Sequence, residues 1–270
     1  MTSAVNETIA HIAGQTETQA LRSRLSAIQS IPGNPMGVEI KEFGQATAFT
    51  VKNIPGPSFN KVTGMSDFDA DKLKEILRYY EARNIPVQFD ISPVGASNQL
   101  LFAMAKEGLY QSGFHTSFYK KAERCKSPKE EGNIVIREIK GDEFQLFSKL
   151  YIKGFNLPEF TMKGIAENNA ILYDHADWTF YLAFYQNEPA GLGVLYVNGH
   201  TASLNAAAVI PEHRGKGVHQ ALIKKRIHAA SNRHSNMIFS QASFNSTSHR
   251  NMEKAGLTIA YTIAIWKPLM

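Results

Sequence analysis

Apolar residues at Leu21, Leu25 and Ile28 recur at helical spacing and predict a helical lead-in, which Ile31-Pro32-Gly33-Asn34-Pro35 ends. The stretches Val38-Glu39-Ile40 and Thr47-Ala48-Phe49-Thr50-Val51 read as strands. Residues 69–83 read as a helix with Leu73, Ile76, Leu77 and Tyr80 inward, and residues 86–91 as a strand. A helix over residues 99–106 is stopped by Gly108, and residues 114–119 close this first cycle as a strand. The polar segment 120–132, with Pro128, is the expected linker.

A second cycle opens with the strand Ile134-Val135-Ile136 and a helix that sets Phe144, Phe147, Leu150 and Tyr151 on one face. Three strands follow, 178–185, 191–197 and 200–209, turning at Gln186-Asn187-Glu188 and at Asn198-Gly199, a strong hairpin signal. A glycine turn then leads into a helix over residues 217–232 that buries Leu222, Ile223 and Ile227. The strand 237–242, the helix 246–255 and the strand 257–266 complete the order. Both cycles end alike, in Met104-Ala105-Lys106-Glu107-Gly108-Leu109 and Met252-Glu253-Lys254-Ala255-Gly256-Leu257, through either duplication or independent helix caps. The expected division is therefore 1–130 and 133–270.

With 43% hydrophobic residues, 270 residues suffice for two cores. A lone cysteine, Cys125, excludes an internal disulfide and a cysteine-rich metal site, and suits a reducing cytoplasm. No window reaches the ~18 apolar residues of a membrane span, and residues 1–29 lack the apolar run of a signal peptide. The expectation is a cytoplasmic protein with neither metal nor membrane partner. Of the net charge of +5, the segment 211–254 carries more than the whole. Its cations are Arg214, Lys216, Lys224, Lys225, Arg226, Arg233, Arg250 and Lys254, set against only Glu212 and Glu253. Such an island suits a compact nucleotide-based polyanion better than a nucleic-acid duplex, which needs a broader basic face. Lys224, Lys225 and Arg226 read equally as a solvated helix face.

The island centres on Val209-Ile210-Pro211-Glu212-His213-Arg214-Gly215-Lys216-Gly217-Val218, which follows a strand and opens a helix. This segment resembles the acyl-CoA signature Arg/Gln-x-x-Gly-x-Gly/Ala of GCN5-related N-acetyltransferases. Arg214 and Gly217 match, while His219 stands where the family prefers a small residue. Glycines admit a close backbone approach, successive N–H groups face a pyrophosphate, and the helix terminus adds positive potential. His219 must then turn away from the phosphates, or the loop differs. The later segment Asn245-Ser246-Thr247-Ser248-His249-Arg250-Asn251-Met252-Glu253-Lys254-Ala255-Gly256-Leu257 resembles the family's Asn-x-x-Ala/Ser-x-x-x-Tyr-x-x-x-Gly-Phe. The resemblance implies a mixed, mostly antiparallel α/β sheet flanked by helices, the acyl-CoA N-acyltransferase fold, in two related halves of which the first is degenerate.

It also implies roles. The backbone of Ala207, Ala208 and Val209 would bond the pantetheine arm as an added strand. Arg214 and the run Gly215, Lys216, Gly217, Val218, His219 and Gln220 would hold the pyrophosphate, and Asn245, with Ser248 and Met252, would meet the arm. The Val209 N–H would polarise a thioester carbonyl.

Catalysis is where the chain departs from the family. Met252 replaces a tyrosine that protonates the leaving thiolate, and Ser240 stands at the place of a glutamate that deprotonates the amine. Loss of such assistance costs roughly 10²- to 10⁴-fold, which slows but does not forbid the reaction. Ser248, one turn before Met252, could bond the sulfur, or satisfy its own helix. His213, His219 and His249 lie near these segments in sequence, with surface roles as the alternative, and Glu159 and Asp174 border the acceptor region as loop carboxylates. The aromatic strand 178–185 either lines an acceptor pocket or alternates between core and sheet surface.

The reading is an N-acetyltransferase that passes the acetyl group of acetyl-CoA to a primary amine of a small molecule or peptide by direct attack. Its rival is a CoA-binding sensor or pseudoenzyme. A nucleic-acid module is disfavoured, and the first half has a structural role.

Overall fold

The structure is a computed structural model that describes residues 6–54, 56–123 and 132–269; Cys125 and most of the expected linker lie outside these residues. By packing, the chain forms two units. One holds the described residues up to Ser117, Ala242–Phe244 and the described residues from Ile259 onward; the other holds Phe118–Gln241 and Asn245–Thr258. The expected cut near residue 130 is not how the chain packs at its end, because the last strand joins the first unit.

In the first unit the lead-in helix α1 (Glu7–Gln29) starts at Asn6, whose side chain accepts the Ile9 N–H at 2.9 Å. Strands β1 (Val38–Phe43), β2 (Ala46–Val51), β3 (Lys61–Thr63) and β4 (Phe89–Ile91) follow in sheet order. Next to β4 comes β11 (Thr258–Pro268), then β5 (Leu109–Lys121). Strand β3 runs parallel to β4, and β11 antiparallel to it, with Trp266 opposite Phe89. A strand as short as β3 leaves no alternation for sequence to reveal.

The expected helix over 69–83 begins instead as a 3-10 turn, Asp67–Lys72, before α2 (Leu73–Glu81). Tyr79 joins Leu73, Ile76 and Tyr80 in its buried set, while Leu77 is only partly buried. These residues pack with Phe43, Val62, Phe89, Trp266, and Leu100 and Met104 of α3 (Asn98–Lys106).

The second unit has the strand order β10-β9-β8-β7-β6. These are β6 (Ile134–Glu138), β7 (Trp178–Tyr185), β8 (Glu188–Asn198), β9 (Thr201–Val209) and β10 (Met237–Ser243). All pairs are antiparallel except β9 and β10, which α6 (Val218–Asn232) connects. The first hairpin turns through Gln186 and Asn187, both at positive φ, and the second through Gly199.

Strand β7 buries Trp178, Phe180, Tyr181, Leu182 and Ala183, so it is covered on both faces rather than alternating between core and surface. Rings of Phe144 and Phe147, on α4 (Phe144–Phe155), pack on Phe180 at 5.4 and 5.5 Å. A helix that the pattern did not suggest, α5 (Met162–Ala170), buries only Ala166, Asn168 and Asn169, too few apolar positions for a stripe. The helix α7 (Thr247–Lys254) precedes β11.

Each unit thus contains a strand-helix-strand crossover between parallel neighbours, β3 to β4 and β9 to β10. The fold is a mixed α/β, largely antiparallel sheet flanked by helices.

Candidate functional site

Strand β9 loses its partner on one side partway along its length. Its parallel pairing with β10 runs from Thr201 opposite Met237 to Leu204 opposite Ser240 and stops there. On the other side, against β8, the register slips between Gly193 and Leu195, so Asn205 and Ala206 together oppose Val194. Such a bulge bends the strand and ends pairing locally. Beyond it the β8 ladder resumes with Ala207 opposite Gly193, Ala208 opposite Leu192 and Val209 opposite Gly191.

The Ile210 N–H donates to the Ala190 carbonyl at 3.0 Å. Antiparallel pairs alternate, so Ala208 also turns its N–H and C=O toward β8, whereas Ala207 and Val209 turn theirs away. Of the three residues expected to bond an added strand, two therefore have backbone groups that face the opening. Ala208 contributes by shape: a methyl built on Gly154 of α4 would lie 2.5 Å from its Cβ, so this end of α4 rests directly on β9.

The loop after β9 is held from within. Arg214 donates from Nε to the Val209 carbonyl at 3.1 Å and from Nη2 to the Gly154 carbonyl at 3.0 Å. Its guanidinium is a staple between the strand end and α4 rather than a free cation. Gly215 and Gly217 take φ of +77° and +85°, a region that side chains disfavour, and nothing lies within 4 Å of where a Cβ on Gly215 would be.

Helix α6 then begins with no side-chain cap, and its first bonded amide is that of Ala221, which donates to the Gly217 carbonyl at 3.0 Å. The amides of Val218, His219 and Gln220 precede that bond, so the end of a four-turn helix presents donors and its positive pole together. Lys216 is exposed beside them, its Nζ 4.8 Å from the Tyr185 ring and 3.4 Å from Nδ1 of His213.

The crossover in the first unit is closed at the matching place. Asp69 accepts from the Ser66 amide at 2.9 Å, the Ser66 hydroxyl at 2.9 Å and the Gln45 amide at 2.8 Å. Asp67 accepts from the amides of Ser97 and Leu100. Both carboxylates lie in the first turn of the crossover's helical segment, where their charge repels a phosphate, and Asp67 also caps the start of α3.

His219 does not sit in front of its helix terminus. Its Nδ1 lies 3.0 Å from the side-chain Nδ2 of Asn251 on α7, and Gln220 Nε2 donates to the Asn251 backbone carbonyl at 2.8 Å. Burial, and then the Arg226 charge, push the His219 imidazole down to about 4, so it is neutral at pH 7. Neither it nor His249, buried against the Phe118 ring, has the surface role entertained from sequence.

Met252 is buried at 3% exposure, and the Ser240 hydroxyl donates to the Leu204 carbonyl at 3.1 Å, where β9 and β10 part. Ser240 is thus a polar end-stop. Asn245 is exposed at positive φ, and its side-chain oxygen accepts from Arg250 at 3.0 Å. Ser248 is partly exposed on the first turn of α7. Glu159 lies in a 3-10 turn, Glu159–Thr161, and Asp174 in the turn after α5; both are exposed.

Arg226 is not on a solvated face: it is fully buried over Gly193, with bonds to the carbonyls of Val194 and Asn205 at the bulge. The signal available in sequence was Gly191-Leu192-Gly193 inside a strand, since strand glycines mark bulges and close approaches. Among the described residues no group of three or more His, Cys, Asp or Glu is placed to hold a metal, and no helix is long and apolar enough to cross a membrane.

Residues 144–257 match the model of the acetyltransferase (GNAT) family. No curated protein matches the chain. Among solved structures, a GCN5-related N-acetyltransferase from Kribbella flavida aligns at TM-score 0.71 and 8% identity, over 97% of this chain and 95% of that one. A tandem GNAT protein from the clavulanic acid biosynthesis pathway, without AcCoA, aligns at 0.62 and 12% identity, over 93% and 94%. A GCN5-related N-acetyltransferase from Sphaerobacter thermophilus aligns at 0.61 and 14% identity, over 85% and 84%. At these identities the likeness establishes the fold alone.

Proposed function

We propose, from the match of residues 144–257 to the acetyltransferase (GNAT) family model, that this protein binds acetyl-CoA along Ala207–Val209 and the loop to Gln220. The acetyl group passes to a primary amine of a small molecule or peptide. The observation that carries this reading is a juxtaposition: β9 drops its pairing with β10 at Leu204 and then leads into the uncapped N-terminus of α6. An amide-bearing arm fits the open edge, and a pyrophosphate fits the amides of Val218, His219 and Gln220. The single-cysteine composition is in keeping with work in the cytoplasm.

The chain's own contribution is mainly positioning. The Val209 N–H, directed away from β8, stands ready to donate to a thioester oxygen as charge develops there. Direct attack forms the C–N bond and breaks the C–S bond; the amine's proton leaves to water and the thiolate takes one up. With Met252 buried and the Ser240 hydroxyl committed to Leu204, neither of those positions supplies an acid or a base. Held geometry is then the main source of rate.

Calorimetric titration with acetyl-CoA tests the reading. Binding is expected in the micromolar range, weakened at least tenfold by G217V, which strains a φ of +85° at the head of α6. Absence of binding at millimolar acetyl-CoA would end the proposal. The same two residues, Met252 and Ser240, favour a second reading, a CoA-binding sensor without turnover. Tight binding with no amine-dependent thiol release across a library of primary amines would establish it.

A further inference from the structure

We propose that Arg226 is a positioning residue whose side chain fixes the bulge in β9 and so keeps the Ala207–Val209 edge open before any ligand arrives. A bulge removes ladder bonds, leaving carbonyls that need donors. Arg226 supplies them: Nη1 donates to the Val194 carbonyl at 3.1 Å and to the Asn205 carbonyl at 3.0 Å, one from each strand, on either side of the slip. Nε donates to the Leu222 carbonyl at 3.1 Å, which ties the guanidinium to its own helix. Space for it exists only because β8 has Gly193 below: a methyl there would lie 3.1 Å from Nε and 3.2 Å from Leu222 Cδ2.

The arrangement is costly as a stabilising device. The side chain is fully buried, and among the described residues Nη2 has no protein partner and no carboxylate forms an ion pair with the guanidinium. A buried unpaired cation is poor support for stability, and an apolar side chain of the same length would serve a core better. What the fork does provide is a fixed register beyond the slip, because a single nitrogen pins both strands.

The inference rests on the reading of Ala207–Val209 as the cofactor's edge, but its physical core can be tested without cofactor. Amide exchange of the ligand-free protein is compared with that of R226M and G193A. At least a tenfold loss of protection at Ala208 is expected in both variants, with Leu204 unchanged and the melting temperature within about 3 °C of the parent. Acetyl-CoA affinity should fall at least tenfold in both, with R226K, which keeps charge and donors, recovering part of it. Unchanged protection at Ala208 would overturn the proposal, as would R226K binding no better than R226M. If R226M does not fold, G193A, which retains Arg226 but displaces it, decides by the same two readouts. If the parent itself does not bind acetyl-CoA while Ala208 still loses protection in the variants, the positioning role stands and the cofactor reading fails.

Discussion

A histidine where the family prefers a small residue could have blocked the phosphate loop; the structure instead turns it against Asn251 and strips its proton. Its folded value of about 4 lies below the usual 6.5, so between those pH values the unfolded chain binds the proton that the folded chain refuses. The stability due to neutral His219 is complete above about pH 6.5 and is lost as pH falls toward 4. Since the ring is partly exposed, about half of the full linkage is expected, roughly 1 kcal/mol between pH 7 and pH 5. H219N should flatten that part of the profile in urea titrations run across this range; equal slopes for parent and variant would refute the assignment. That His219 turns away, unless the loop differs, is what the resemblance to the acyl-CoA signature implies at that position. That Asn251 receives it was not legible, because a partner 32 residues on is fixed by how α6 meets α7. Arg226 was hidden for a similar reason: nothing in Lys224-Lys225-Arg226 distinguishes the third cation, and only the glycine beneath it on another strand does.

At the level of elements, strong periodicities were readable and weak ones were not. The helices bearing Leu73, Ile76 and Tyr80, or Phe144 and Phe147, carry a broad apolar face, whereas α5 buries two asparagines and one alanine. The glycine stops at Gly108 and Gly256 both take positive φ, of +75° and +80°, as the matching helix ends suggested. The contact that shapes the site lies between elements far apart in sequence, α4 and β9. Gly154 lets the helix lie on Ala208, and its carbonyl receives Arg214, so the helix end, strand edge and loop form one connected piece. G154A improves helix propensity yet drives a methyl to 2.5 Å from Ala208 Cβ. The clash should dominate, costing about 1–3 kcal/mol by chemical denaturation and lowering acetyl-CoA affinity by displacing the β9 edge. A variant as stable as the parent would mean that α4 can lift from β9 freely.

For the whole chain, periodicity identifies β11 as a strand but cannot assign it to a sheet. The second cycle in sequence ends with it, yet it lies between β4 and β5 and brings Tyr261, Ile263 and Trp266 into the first unit. Burial of three such side chains contributes about 1.5–3 kcal/mol each, a large share of the 5–15 kcal/mol that separates a typical folded domain from its unfolded state. The first unit's sheet therefore includes a strand that follows the whole second cycle in sequence, and its stability depends on a segment more than 160 residues from β4. A chain ending at Thr258 keeps every residue of the α6 terminus and loses only this strand. Hydrogen exchange should then show Phe89, Asp90 and Ile91 exchanging at close to unfolded-chain rates, since β11 pairs with all three. The amides of Leu192 and Val194, inside the second unit, should stay protected. Retained protection at Phe89–Ile91 would show that β3 and the helices suffice to hold β4, and that the terminal strand is an accessory to the first unit rather than part of its fold.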